Sequence, residues 1–453
     1  MKNYRVLISL LVIGCLLWNS IYYQLDWLDW ILVIISCFST VVYVNRFNIW
    51  NDICSTVLMV TVFLSMIFIP TFQFAGETFS GGHNGYEDYM HLASFGNKIY
   101  FEFSFLCSIL ILGRSKSRSV NTEQTVKRLS DRTVHLIFLT ALLGLAFGAI
   151  SGSMYMGAGE ARDRIVLPFH LNGIINVYTI TVVPYLFAII AENEILTRGK
   201  IKRNHIYFFL LFGLAETFVR LSKSSLVSVV LPLALLLFVY YRPKINTIVR
   251  YAVPIVVIIL FLYPLVQIMR GTNSNLSLSE RIIEAYTTGD EEDVDGSKEN
   301  TIVKAFNRQF MNGGYYMKYY EDINHRDLFD FSRAPLIVVV GGGPSYVTHI
   351  LDGFPEGVAH SSGITGTLDA LLFGGYGFCY ALMFILPFLA SIFDSRKHRD
   401  CITYRIIAAL LLMNIFNTGS ISKIIERVSL MYIIGILIAM FFALKINNRT
   451  VKK

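Results

Sequence analysis

The sequence predicts an all-α polytopic membrane protein of about twelve transmembrane helices with one long extracytoplasmic loop. Three observations predict it. Of the 453 residues 54% are hydrophobic and only 16% are charged, with 34 phenylalanines beside 25 tyrosines, more apolar surface than soluble helices could bury. Apolar runs such as Tyr251–Met269 and Val428–Leu444 approach the length that crosses a hydrocarbon core of roughly 30 Å. These runs are continuous and do not alternate with period two, so the backbone is satisfied within helices and not in a barrel.

The spans expected from those runs are 6–22, 27–45, 53–72, 99–113, 134–152, 166–190, 205–219, 226–241, 251–269, 366–393, 402–419 and 428–444. The first run, Val6–Leu17 behind Lys2 and Arg5, starts like a signal peptide but has no A-x-A cleavage signal. Ile13, before Gly14 and Cys15, is too bulky for a lipoprotein processing site, so this run is read as a retained first helix. Cys15, Cys37, Cys54, Cys107, Cys379 and Cys401 all lie in or beside apolar runs, which predicts buried thiols and no exposed disulfide.

Charge sets the expected orientation. With a cytoplasmic N-terminus, Arg46, residues 114–133, 191–204, 242–250 and 394–401 and the C-terminus share the inner side. That side, helix ends included, collects 24 of the 39 lysines and arginines; eight of the rest lie in the long loop, where the positive-inside bias does not operate. The net charge of +7 is thus a matter of topology, and nucleic-acid binding has no support. The organisation is an N-terminal bundle (residues 1–269), an outer loop or lid (270–365) and a C-terminal set of helices (366–453). Within the loop, Asp290–Asp295 reads as a solvated acidic turn in preference to a cation site, Gly341–Pro344 as a turn in preference to a backbone nest for phosphate, and the run FNRQFMNGGYYMKYY from Phe306 as an amphipathic surface helix.

Candidate site residues are the polar ones that interrupt the apolar pattern on the outer side. The 36 residues from His205 to Tyr240 would make a helix about 54 Å long, so a turn is expected near Arg220–Ser225. Each arm, about 22–24 Å, then falls short of the core and sinks the turn into a polar recess. Arg220 and Lys223 either bind an anion there or pair structurally: Glu216 sits one helical turn before Arg220, while Lys223 has no local acid. Arg162 and Arg164, in GEARDRIVLPFHLNGI, form a second basic cluster, and an arginine-plus-lysine lining suits more than one phosphoryl group. In GVAHSSGITGTLDALLFGGYG, His360 can accept a proton, and Asp369, in the first turn of the following span, can orient it or serve as the base. Gly374, Gly375 and Gly377 are read as thinning that helix face for close packing. His83, Glu87 and His91 would share one face if helical. Gly81, Gly82 and Gly85 oppose a regular turn, so saccharide contact or a plain loop is read in place of a metal site.

FVRLSKSSLVSVVLPLALLLF, the Arg162/Arg164 segment, the late outer loop and AHSSGITGTLDALLFGGYG together resemble the bacterial Wzy-type polymerases of O-antigen, capsule and exopolysaccharide repeat units, which are related in plan to the O-antigen ligases. The likeness covers the topology over most of the chain, through short degenerate motifs. It implies a GT-C-like membrane enzyme that transfers a glycan from undecaprenyl diphosphate to a sugar hydroxyl of the next lipid-linked repeat at the periplasmic face. It also implies no nucleotide sugar and no catalytic metal, with a chain-length regulator as a candidate partner. Arg220, Lys223, Arg162 and Arg164 would then hold the diphosphate, His360 and Asp369 would carry the chemistry, and Arg308, Tyr315, Tyr316, His83 and His91 would contact saccharide. Where the family carries arginine after a small pair, this chain has Lys223. A ligase differs only in its acceptor. A lipid-linked sugar flippase would instead need charges toward the midplane and internal repeats, and no repeat is seen.

Overall fold

The computed structural model describes residues 2–48, 51–68, 71, 86–113, 124–125, 128–150, 171–220, 223–241, 366–395, 401–418, 427–447 and 450–451. The helices are α1 (Lys2–Tyr22), α2 (Trp27–Arg46), α3 (Ile53–Phe63, prolonged by a π-helical turn over Leu64–Phe68), α4 (Tyr86–Gly113) and α5 (Asp131–Ile150). They continue with α6 (Leu171–Val177, a π turn over Tyr178–Val182, then Val183–Arg198), α7 (Arg203–Arg220), α8 (Lys223–Tyr241), α9 (Gly366–Phe393), α10 (Ile402–Thr418) and α11 (Arg427–Asn447). Two short strands, β1 (Gln124–Thr125) and β2 (Thr450–Val451), pair antiparallel, a small addition to the all-helical expectation. Among the described residues, six stretches, in α1, α2, α4, α5, α6 and α9, are long and apolar enough to cross a membrane, and α3, α8, α10 and α11 carry shorter apolar helices.

Helix boundaries follow local chemistry. Asp26 caps α2 by accepting the Asp29 N–H at 2.9 Å, and Gly199, at φ 74°, ends α6 in the left-handed conformation. The π turn of α6 stands just before Pro184, which lacks an N–H and crowds the carbonyl four residues earlier, so the ladder widens there.

Five sequence expectations are corrected. The fourth span is not short: α4 has 28 residues, and Ala93–Gly113 within it is apolar enough to cross. α6 runs on to Arg198, into the stretch read as a loop from 191. The turn after α7 falls where expected, but α7 and α8 have 18 and 19 residues, about 27–29 Å each, because Arg203 and Asn204 join α7 and Lys223, Ser224 and Ser225 join α8. That removes most of the shortfall from which a sunken turn was argued. α9, finally, is not one straight span. At Gly375 the backbone takes φ 81°, ψ −179°, a region essentially open to glycine alone. The break folds Gly366–Gly374 back over the start of the span, so that the Cys379 thiol donates to the Thr367 carbonyl at 3.2 Å, atoms that twelve helical residues would separate by about 18 Å. Gly377 is not a packing glycine either, since a Cβ there would meet nothing within 4 Å. The close approach lies elsewhere: a Cβ on Gly96 of α4 would stand 2.7 Å from the Met66 carbonyl of α3. The expected span 251–269 and the loop 270–365 lie outside the described residues.

Packing is that of a protein with two apolar environments. Leu16, Phe103, Phe187, Phe209 and Phe416 are wholly enclosed between helices. Phe38, Leu139, Leu143, Leu211 and Phe441 are left more than half exposed, and together with their neighbours they form continuous apolar faces far larger than a water-soluble surface carries. Some polar groups within the bundle are satisfied between helices: Thr40 and Tyr100 share a hydrogen bond of 2.8 Å, and the Ser108 hydroxyl donates to the Ser39 carbonyl at 2.6 Å.

A run of polar contacts ties one end of the bundle together. Arg5 of α1 donates to the carbonyls of Asn45, in the last turn of α2, and of Phe47, just after it. Asp394, after α9, accepts the Cys54 and Ser55 N–H groups at the start of α3, both at 3.0 Å, and the Ser55 hydroxyl at 2.9 Å. Glu192 of α6 accepts the Ile402 and Thr403 N–H groups at the start of α10 (2.8 and 3.1 Å) and the Tyr240 hydroxyl at 2.9 Å. Both carboxylates are buried at helix N-termini, where the exposed N–H groups and the helix dipole favour an anion. The β1–β2 pair joins the C-terminal strand to the loop before α5. The described parts of the segments that the charge pattern places on one side therefore share one end, here called the near end.

Candidate functional site

The opposite, far end holds the sequence-expected site positions that the structure describes. α7 starts at the near end, where Lys202 reaches Asp131, and so ends at the far end with Arg220. α8 returns from Lys223 to Tyr241, whose hydroxyl donates to the Gly199 carbonyl at the near end. α4 runs parallel to α2, since Asp29 at the start of α2 accepts from Ser94 (2.6 Å) and pairs with Lys98 (3.6 Å) near the start of the α4 span. His91 belongs to that far-end portion of α4. Asp369 lies in the folded-back helix ahead of Gly375.

Four positions, His91, Arg220, Lys223 and Asp369, thus share one end of the bundle, two of them flanking the α7–α8 turn. Their side chains lie outside the described part of the structure. His83, Arg162, Arg164, Arg308, Tyr315, Tyr316 and His360 lie outside the described residues altogether.

Around this end the described side chains are polar and aromatic. The Asp29 carboxylate is buried, and its partner Lys98 is about one-third exposed. Phe95 of α4 meets Tyr376 and Tyr380 of α9 with ring centroids 6.2 and 6.1 Å apart, which fixes the start of the α9 span against α4. Asn97 is buried, and among the described residues neither end of its amide finds a hydrogen-bond partner. Glu102, one turn beyond Lys98, has one buried carboxyl oxygen without a partner among the described residues. Asp29, Lys98, Asn97 and Glu102 were not singled out from sequence; the available signal was their spacing, with polar residues at 94, 97, 98 and 102 breaking the apolar run of α4. No group of three histidine, cysteine or acidic side chains poised for a metal occurs among the described residues.

These features define a class, a polytopic helical membrane protein whose site candidates gather at one end. Comparison with protein families, with curated proteins and with solved structures finds no match to the chain.

Proposed function

We propose that this protein is a polysaccharide polymerase of the bacterial inner membrane, a metal-independent glycosyltransferase that joins undecaprenyl-diphosphate-linked repeat units at the periplasmic face. The observation that carries the reading is the common end of Arg220, Lys223 and Asp369, with His91 beside them, opposite the end that gathers both termini. Charge assigns that terminal end to the cytoplasm. Eleven expected spans correspond to helices α1–α11. α8 ends at the near end and the α9 span begins at the far one, the separation that a twelfth crossing at 251–269 supplies.

In this reading the anomeric carbon–oxygen bond of the donor breaks as the acceptor hydroxyl attacks. Lipid diphosphate leaves with growing negative charge, and fixed cations are worth most where charge develops. Arg220 and Lys223, with Arg162 or Arg164, take that charge. His360 removes the proton of the acceptor hydroxyl, with Asp369 orienting it or acting in its place. The Gly375 break holds Asp369 on a short helix braced against the span, a firmer mount than a loop end. Arg308, Tyr315 and Tyr316 of the outer loop contact the saccharide and exclude water.

The test is polymer length in cells producing variants at matched membrane levels. Arg220→Ala and Lys223→Ala shorten or deplete the glycan, and Lys223→Arg retains more function than Lys223→Ala. His360→Ala lowers turnover by about 10²- to 10⁴-fold if it is the base; a larger loss in Asp369→Asn moves that role to the aspartate. Normal polymer from the Arg220→Ala/Lys223→Ala double variant refutes the diphosphate assignment.

A further inference from the structure

At the near end, the α5, α6 and α7 termini build a basic surface that the proposed reaction does not use. Residues 128–132 and 194–203 contain six cations, Arg128, Arg132, Arg198, Lys200, Lys202 and Arg203, against two carboxylates, Asp131 and Glu194. Three of the cations converge on the exposed Asp131: Lys202 at 3.2 Å, Arg128 at 3.3 Å and Arg198 at 3.7 Å. Glu194 is occupied from inside, by the Lys202 N–H at 2.9 Å, His205 at 3.2 Å and Arg198 at 3.7 Å. Arg128 and Arg198 also line a small recess with Asp131, Asn193, Glu194 and Thr197. Arg132, Lys200 and Arg203 are exposed and make no ion pair among the described residues. Asp131 and Glu194 thus hold Arg128, Arg198 and Lys202 together without neutralising the surface.

The depth of this surface selects its ligand. Leu136, Leu139 and Leu143 of α5, beginning five residues beyond Asp131, are more than half exposed, as are Tyr207 and Leu211 of α7, beginning four residues beyond Arg203. Acyl chains cover such faces, and an exposed tyrosine at their edge marks the interface. The cations therefore stand at headgroup level, directly in line with two lipid-facing helices.

We infer that the α5–α6–α7 corner is a binding site for the phosphodiester headgroup of an anionic bilayer lipid, held by Arg128 and Arg198 at the recess and by Arg132, Lys200 and Arg203 around it. Juxtamembrane lysines and arginines attract anionic lipid at roughly fivefold per cation, and salt screens the attraction. The site depends on the membrane placement of the bundle and not on the polymerase reading.

The experiment uses the full chain in nanodiscs of phosphatidylcholine with and without phosphatidylglycerol, read as thermal unfolding midpoint and as lipid retained after purification. Wild type is expected to unfold several degrees higher with phosphatidylglycerol and to retain it selectively, with the increment fading between about 0.1 and 1 M salt. Arg132→Gln/Lys200→Gln/Arg203→Gln removes only exposed cations outside the Asp131 and Glu194 ion pairs. It should match wild type in pure phosphatidylcholine but lose most of the increment, with selectivity falling on the order of 100-fold. Lys445→Gln, an exposed cation in the last turn of α11, should keep it. The site is refuted if wild type shows no increment, if the triple variant keeps it, or if Lys445→Gln loses as much. Inorganic phosphate reproducing the increment in pure phosphatidylcholine would assign a free anion and overturn the lipid assignment.

Discussion

Asp394→Ala should be among the most damaging single changes outside the candidate site. The Asp394 carboxylate accepts two backbone N–H groups of α3 and the Ser55 hydroxyl, and Arg405 lies 4.0 Å away; Asp394 and Arg405 are each 0% exposed. Alanine leaves both N–H groups without this acceptor, and hydrogen bonds to a charged group are worth about 1.5–3 kcal/mol each. It also removes a counter-charge from a buried guanidinium, and breaking a buried pair typically costs about 3–5 kcal/mol. The two estimates overlap, so a loss of about 3–5 kcal/mol is expected. Asp394→Asn keeps one oxygen acceptor and should lose roughly half as much, while Ser55→Ala removes one hydroxyl and costs about 1 kcal/mol. The assay is denaturation of purified protein in one detergent, followed by loss of helical circular dichroism, with the three variants measured side by side. An Asp394→Ala protein within about 1 kcal/mol of wild type, or no more damaged than Ser55→Ala, would refute the reasoning.

Two further outcomes follow from the backbone. Gly375→Ala puts a side chain where φ is 81°, costing on the order of 1–3 kcal/mol and displacing the folded-back helix; Gly377→Ala meets open space and should be close to neutral in the same unfolding assay. Reporter fusions after residues 124 and 451 should read one compartment, and a fusion after residue 320 the other; a common reading for all three would overturn the charge-based orientation.

The helices were legible because apolar runs of membrane length are a strong, local signal. Their ends were less so. Arg203, Asn204, Lys223, Ser224 and Ser225 are polar and look like loop, yet the helices run through them. The Gly375 break was hidden because glycine in an apolar run fits close packing as well as a positive φ, and only the folded chain decides between them. Glu192 and Asp394 were invisible for another reason: their partners lie 210 and 340 residues away in sequence. Spacing says nothing about contacts at that separation. At the candidate site, the turn between Arg220 and Lys223 was legible from helix length alone, and the common end of Arg220, Lys223, His91 and Asp369 followed from counting crossings. The chemistry assigned to them rests on residue type and on the family likeness. The buried polar atoms of Asn97 and Glu102 came to notice only once α4 had packed against its neighbours.

Reconstitution tests the central claim most directly. Purified protein in proteoliposomes, given undecaprenyl-diphosphate-linked repeat units with chelator present and no nucleotide sugar, should release lipid diphosphate and build a product ladder that lengthens with time. Failure to extend an authentic donor and acceptor pair, or extension only when nucleotide sugar is supplied, would contradict the account.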